Sequence, residues 1–528
     1  MTKSVDGTKL VMVRSEPQAS VSNHAGPMSN LFDTLTANGA PSAPFLERPD
    51  GRVDSYADLQ AHTARLAHAL TALGVRPGDR VAVQVEKTPE NLYLYLATIR
   101  AGAVFLPLNT AYTFKELDYF IGDAGPRLIV CDPAVQEDVE GLVDPLDAKV
   151  VTLDGLGQGS LMDIAATRPA SYPTVARESG DLAAICYTSG TTGRSKGAML
   201  THGNLASNAA TLVTLWRFTA ADVLIHALPI YHVHGLFVAT NVLLMAGGAM
   251  IFRAKFDAAE ALSLMPRATA LMGVPTFYTR LLAQPGLSRE AVAGMRLFIS
   301  GSAPLLADVH VEWSTRTGTA ILERYGMTET GMNTSNPYDG DRVAGTVGFP
   351  LPDVGLRIAD PETGAPLAPG EIGMIEVKGP NVFAGYWNLP EKTAAEFRPD
   401  GFFITGDLGK IDERGYVHIV GRGKDLIISG GFNVYPKEVE EELDALPGVI
   451  ESAVIGLPHP DLGEGVTAVI ATGGKGAFDE AAVIAALKDR LARFKQPKRV
   501  LFVDDLPRNA MGKVQKALLR QLHAGLYR

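Results

Sequence analysis

Between Tyr187 and Gly197 the chain reads YTSGTTGRSKG, which places three glycines (Gly190, Gly193, Gly197), four hydroxyls (Thr188, Ser189, Thr191, Thr192) and two cations (Arg194, Lys196) in one short stretch. Glycines let backbone N–H groups converge on an anion, hydroxyls donate hydrogen bonds, and the cations neutralise charge; the combination suits a polyphosphate. A flexible surface loop is the competing reading of any Gly-Ser-Thr segment. Here the apolar run LAAIC precedes the loop, so the amides open at the end of a strand, and the balance moves to phosphate binding. A Walker loop would need Ser or Thr after its lysine, whereas Lys196 is followed by Gly197, which argues against a P-loop kinase or ATPase.

The elements that carry this loop follow from hydrophobic periodicity. Ser55 and Asp58 form an N-terminal cap with an acidic first turn, and Leu59, Leu66, Leu70 and Leu73 keep helical spacing as far as Gly74. A strand over 80–85 follows the Pro77-Gly78 turn, then a helix over 91–101, the apolar AVFLPL, a helix over 114–124, and RLIVCD. Strands alternating with helices predict doubly wound α/β sheets, covered on both faces, with ligands at the carboxyl ends of the strands. After about Val354 the short segments GEIGMIEVKG and GYVHIVGRG predict a β-rich antiparallel subdomain. Helix over 436–446 and strand over 451–455 predict a small α+β C-terminal domain.

The 528 residues carry a formal net charge of −10 and are 46% hydrophobic and 20% charged, as expected of a multidomain globular protein and unlike a dedicated nucleic-acid binder. The only cysteines, Cys131 and Cys186, sit in apolar runs; they provide no disulfide framework or zinc site and point to a reducing cytoplasm. The longest uncharged run, 235–252, is broken by Thr240, Asn241 and Gly247-Gly248, so it reads as a core helix and strand rather than a stable membrane insertion. Residues 1–27 lack the order of a secretory signal and are expected to form a flexible extension.

Six further motifs follow the glycine loop in order: SGSAP from Ser300, ERYGMTET from Glu323, TGD from Thr405, GRGKDLI from Gly421, GGFNVYPKEVE from Gly430 and PRNAMGK from Pro507. The series resembles the adenylate-forming superfamily of acyl-CoA synthetases, adenylation domains and luciferases, from about Leu31 onward. The resemblance implies a large adenylation domain over 28–420, a hinge over 421–425 containing Lys424, and a mobile small domain over 426–528. It also implies ATP, Mg²⁺ and CoA as reactants or cofactors. Thr188, Ser189, Gly190, Thr191, Thr192, Gly193 and Lys196 would face the phosphates, although Ser195 stands where the family often has proline. Gly301, Ser302, Ala303 and Pro304 would shape the adenine pocket, with Tyr325, Gly326, Met327 and Thr328 along the nucleotide. Asp407 and Arg422 would meet the ribose. Glu329 would hold magnesium, a hard cation that suits one carboxylate plus phosphate oxygens. Lys513 would be the catalytic lysine bridging the acyl carboxylate and the α-phosphate, with Thr328 and Glu329 beside it, and also the target of a lysine acyltransferase. Gly430, Gly431 and Phe432 would border the CoA tunnel.

The acid is read from Arg324, which stands where many relatives carry a small residue before the YGMTE tyrosine. A buried arginine costs several kcal/mol unless paired, so one in an acyl pocket implies an anionic tail on the substrate. Arg280 either joins that pocket or reaches to solvent. His234 occupies the position of an acyl-site aromatic or histidine, with Ser302 and Met327 nearby, and His232 lies two residues before it. The pattern implies an AMP-forming acid-thiol ligase acting on malonate, with methylmalonate as a tolerated analogue. The alternatives are another short- or medium-chain acyl-CoA synthetase, or an adenylation enzyme loading a separate carrier protein. No carrier domain follows before Arg528, which weakens a modular-assembly reading.

Overall fold

The computed structural model describes residues 30–143, 148–188, 195–430, 432–473, 479–488, 490–509 and 512–527. The expected extension over 1–27 and the central residues Ser189, Gly190, Thr191, Thr192 and Gly193 of the glycine loop lie outside the described residues, as does Gly431.

Two large sheets form the body. In the six-stranded one the order is Lys149–Thr152, Leu128–Cys131, Arg80–Gln84, Val104–Pro107, Leu182–Thr188, Lys196–Thr201. Its first five strands run parallel, joined by helices such as Pro89–Arg100 and Phe114–Ala124. The helix Tyr56–Ala72 starts with the reciprocal Ser55–Asp58 capping box foreseen from spacing, and its Leu59, Leu66 and Leu70 are buried. The run 235–252 resolves into the helical turns His234–Ala239 and Thr240–Ala246 followed by the strand Ala249–Phe252, all in the core.

The sheets are mixed rather than wholly parallel. Lys196–Thr201 returns antiparallel to Leu182–Thr188, because the link between them is far shorter than the dozen or more residues that a parallel crossover needs. The nine-stranded sheet has a parallel centre, Leu322–Met327, Leu297–Ser300, Ala270–Gly273, Val223–His226, Ala249–Phe252 and Pro44–Glu47. Antiparallel hairpin partners close both of its edges: Gly331–Ser335 with Phe349–Pro350 on one side, Val53–Ser55 on the other. Cys131 and Cys186 are buried in strands, and burial pushes both thiols up to about 12, so neither is a ready nucleophile.

The β-rich region is a four-stranded antiparallel sheet of Gly355–Ala359, Gly373–Lys378, Phe403–Ile411 and Val417–Arg422. A separate five-stranded sheet follows, with Ile427–Ser429, Phe432–Val434, Glu451–His459, Gly463–Ala471 and Arg499–Val503. It is covered by the helix Pro436–Asp444, whose Val439 and Leu443 are buried.

Glu376 is fully buried in the four-stranded sheet and accepts from Arg357 Nε at 2.8 Å and Arg398 Nε at 2.7 Å. Removing one partner of a buried ionic cluster strands the others, so Glu376→Gln is expected to destabilise this sheet by about 3 kcal/mol. Chemical denaturation followed by tryptophan fluorescence checks the expectation; an unchanged midpoint would contradict it.

Candidate active site

The nucleotide-facing groups expected from the motifs converge where the four-stranded sheet meets the edge of the nine-stranded one. Asp407 lies within Phe403–Ile411 and is 4% exposed. One of its oxygens pairs with Arg422 Nε at 2.7 Å, and the other accepts from the Tyr325 hydroxyl at 2.5 Å. Arg422 faces Asp407 across the register of the two adjacent strands. The carboxylate raises the guanidinium above its ordinary pKa, so Arg422 stays charged. Gly326, one residue after Tyr325, has no room for a side chain: a Cβ would stand 2.0 Å from the Gly331 carbonyl oxygen.

The Ser300–Pro304 loop leaves the central strand Leu297–Ser300 with Ser302 in the left-handed region at φ 71°. That conformation is unfavourable for serine, and such strain clusters at functional sites. The Ser302 hydroxyl is 3.1 Å from His234 Nδ1, which joins this loop to the turn carrying His232 and His234. Beneath Gly301 lies the guanidinium of Arg324, so close that a Cβ at 301 would be 2.4 Å from Cζ.

Arg324 is 3% exposed, and no carboxylate faces it in any ion pair among the described residues. Its Nε and Nη2, the Nε2 of His234 and the Ser300 hydroxyl are all buried without a hydrogen-bond partner. Buried polar atoms are normally hydrogen-bonded, and these four have no protein partner; Arg324 lies under Gly301 and His234 is tied to the next residue, Ser302. Burial pushes the Arg324 pKa down to about 9, which leaves it cationic at neutral pH. Burial, then Arg324, holds His234 well below the usual imidazole range. His232 is pushed down to about 4 by burial, Arg324 and Lys513, so both imidazoles are neutral.

Lys513 approaches from the five-stranded-sheet side of the molecule. Its backbone N–H donates to Asn509 Oδ1 at 3.0 Å. The adjoining Gly512 has φ 73° and packs so near the helix Pro275–Leu282 that a Cβ would be 3.2 Å from Thr276 Oγ1. Lys513 is exposed as a residue, but its ammonium end is crowded by protein, and that desolvation, with Arg422 and Lys424, pushes its pKa down to about 8 against the opposing pull of Asp407 and Asp425.

At the phosphate end, Thr188 and Lys196 flank the glycine loop. Lys196 Nζ pairs with Glu396 at 3.0 Å and lies 4.0 Å from the centre of the Tyr386 ring. The Tyr386 hydroxyl bridges Glu396 at 2.7 Å and Glu329 at 3.0 Å. Glu329 is 5% exposed, and burial raises its pKa. No cluster of three or more His, Cys, Asp or Glu occurs among the described residues. A single buried oxygen donor fits a magnesium ion that takes its remaining ligands from phosphates and water, and does not fit zinc.

Other expected residues are placed differently. Arg280 is exposed, at a cleft of about 390 Å³ between the carboxyl ends of Arg80–Gln84 and Val104–Pro107 in one sheet and Val223–His226 and Ala249–Phe252 in the other. Lys255, Lys87, Glu86 and Tyr231 share that cleft. Phe432 is 55% exposed on the edge strand of the five-stranded sheet, stacked on Phe494 at 4.7 Å, and Gly430 makes the preceding turn at φ 59°. Lys424 lies in the short turn Gly423–Asp425 between the four- and five-stranded sheets, where Asp425 pairs with Arg520 at 2.6 Å. Ser300, His232, Tyr386 and Glu396 were not singled out from sequence as site residues. The His232 spacing offered a signal; Tyr386 and Glu396 reach Glu329 only through the fold.

Residues 34–387 match the AMP-binding enzyme family and residues 438–513 its C-terminal domain. The chain is 63% identical to MatB from Rhodopseudomonas palustris in its ATP-bound crystal structure, covering 95% of this chain and 100% of that one with a TM-score of 0.93. A feruloyl-CoA synthase from Amycolatopsis sp. is 38% identical, over 90% of this chain and 95% of the relative. A malonate–CoA ligase from Arabidopsis thaliana is 33% identical, over 95% and 90% respectively. With both family models matched and relatives of 33% to 63% identity over nearly its whole length, the chain belongs to the AMP-binding enzymes.

Proposed function

We propose that the protein is an AMP-forming acid-thiol ligase that converts malonate, ATP and CoA to malonyl-CoA, AMP and pyrophosphate through a malonyl-adenylate, with methylmalonate as a secondary substrate. The observation that carries the choice of acid is the buried, unpaired Arg324 beside the unpartnered Nε2 of His234. An aliphatic or aromatic tail would leave those donors unsatisfied; a second carboxylate completes them with charge-assisted hydrogen bonds. The similarity to a malonate–CoA ligase supports the same acid.

In this reading Asp407 and Arg422 hold the ribose, and Ser302, Ala303 and Pro304 flank the adenine. Tyr325, Gly326, Met327 and Thr328 run along the nucleotide, with Thr188, Lys196 and the glycine loop on its phosphates. Glu329 would hold magnesium, which when bound screens the phosphate charge. The carboxylate oxygen attacks the α-phosphorus as pyrophosphate leaves. Two anions must approach, so a cation at the point of contact acts most strongly in the transition state; that is the role of Lys513. Arg280, exposed at the cleft of an otherwise acidic protein, draws anionic reactants inward.

For the second step we propose that the unit over 426–528 turns on the unit over 28–420 about 421–425. Lys424 is at the pivot, and Gly430, Gly431 and Phe432 come to the thiol channel. Acylation of Lys513 by a lysine acyltransferase would abolish its charge and hence the first step. Two buried free cysteines support a cytoplasmic setting, and among the described residues no helix is long and apolar enough to cross a membrane.

Thioester formation is expected with malonate and weakly or not at all with acetate, butyrate, ferulate or a long fatty acid; a preference for a monocarboxylate would refute the acid assignment. Arg324→Ala is expected to lower kcat/KM for malonate about a hundredfold while ATP binding persists, since truncation removes the partner of a desolvated charge. Unchanged malonate kinetics would take Arg324 out of the site. Lys513 is needed as the cation, and its pKa near 8 lies below that of a free lysine, so adenylation is expected to decline as pH rises through about 8. Lys513→Arg should move that limb upward, and Lys513→Ala should cut kcat about 10²–10³-fold. Pyrophosphate release against pH checks all three.

A further inference from the structure

Lys87 is half-buried just beyond the carboxyl end of the strand Arg80–Gln84 and makes no ion pair with a carboxylate among those found in the described residues. Its ammonium makes three contacts, to His226 Nδ1 at 3.0 Å, the His226 carbonyl at 2.9 Å and the Arg253 carbonyl at 2.7 Å, and it lies 4.3 Å from the centre of the Phe252 ring. An ammonium has three protons, and all three are engaged. Lys87 therefore acts through these partners rather than on a ligand, even though it lines the cleft.

Every one of those acceptors belongs to the other sheet. His226 ends Val223–His226, and Arg253 follows Ala249–Phe252, so the lysine ties the six-stranded sheet to the nine-stranded one across the floor of the cleft. For Nδ1 to accept from Lys87, the imidazole of His226 carries its proton on Nε2. Nε2 faces the Gly235 carbonyl at 2.9 Å and Thr240 Oγ1 at 3.2 Å, and the Thr240 hydroxyl donates to the same carbonyl at 3.0 Å. Gly235 lies in the π-helical turn His234–Ala239, one residue after His234, and is pressed so tightly that a Cβ would be 2.1 Å from the Pro229 carbonyl oxygen. Such turns depart from the regular i→i+4 ladder and recur at functional sites, and here the Gly235 carbonyl is held from outside the turn by His226.

We propose that Lys87 is a positioning residue for the acid, acting through His226 and the Gly235 carbonyl to hold the π-helical turn that presents His234 beside Arg324. This rests on the reading of Arg324 and His234 as the clasp for the acid's second anionic group. It separates acid binding from nucleotide binding, because Asp407 and Arg422 pair within the four-stranded sheet and Tyr325 donates to Asp407, with no hydrogen bond from this group to Lys87 or His226 among the described residues.

The test compares the wild type with Lys87→Met, His226→Asn and the double variant. Each is assayed for the KM of whichever acid of the panel the wild type prefers, for ATP affinity by calorimetry, and for thermal midpoint. Asparagine keeps an acceptor near the Nδ1 position facing Lys87 but cannot reach Gly235, so His226→Asn breaks only the second link and decides the question even where a buried methionine is not tolerated. The expected result is an acid KM about tenfold higher in each single variant, no further rise in the double variant, and ATP affinity within about twofold of wild type. An unchanged acid KM in either single variant, additive effects in the double, or parallel loss of acid affinity, ATP affinity and thermal midpoint would overturn the proposal. A wild type that prefers a monocarboxylate would refute the malonate reading while leaving the Lys87 comparison readable with that acid.

Discussion

The site is organised around positive charge that the protein does not neutralise. A guanidinium in a dry interior ordinarily needs a carboxylate, and in this structure Glu376, Asp222 and Asp407 each provide one to a neighbouring arginine. Among the described residues Arg100 and Arg324 are buried without a carboxylate; Arg100 donates to the Gln60 and Tyr172 carbonyls and to Thr63, whereas Arg324 lies beneath Gly301 with two nitrogens that have no protein partner. In the proposed reading this favours an acid with a second negative group at the level of desolvation, since an apolar tail would exclude water without satisfying the charge.

The surroundings keep that charge available. Both His232 and His234 are held neutral, so neither adds a competing cation, and Tyr278 is occupied by the Ile299 carbonyl. Gly301 and the left-handed Ser302 bring the loop down onto the guanidinium at a separation that a side chain at 301 would prevent. At the nucleotide end the opposite logic applies: Arg422 is matched by Asp407, and Tyr325 occupies the second carboxylate oxygen. In the proposed reading one end meets a hydroxyl-bearing ring and the other an anion, and Lys513 stands close enough to both for its ammonium to feel Arg422 and to depress His232.

In the proposed reading Lys513 is the reason for a two-unit chain. Its loop belongs to the region after the last strand of the four-stranded sheet, yet Gly512 packs against Thr276 of the large body. A lysine on a movable unit can supply charge for one step and withdraw for the next, whereas one rooted in the central sheets would remain beside the carbonyl when the thiol arrives. The turn Gly423–Asp425, tied to the last helix through Arg520, is the proposed pivot of that rotation.

The alternation of apolar strands and capped helices made the α/β body legible: the Ser55–Asp58 box, the helix Phe114–Ala124 and the strand Leu128–Cys131 lie where local spacing places them. The order of the motifs likewise announced adenylate chemistry and the residue types that would perform it, because a phosphate loop, a carboxylate for a diol and a lysine are recognisable one segment at a time. What spacing could not decide was which of two arginines is enclosed. Arg280 is exposed on its helix while Arg324 is sealed under a loop that packs onto it from the neighbouring strand. The Tyr386–Glu396–Lys196 bridge to Glu329 and the Lys87–His226 tie were equally invisible. Their partners lie 10 to 200 residues apart in sequence, and they meet only because different sheets bring them together. Periodicity is a local property of the chain, but burial, and therefore the cost of an unpaired charge, is a property of everything packed around it.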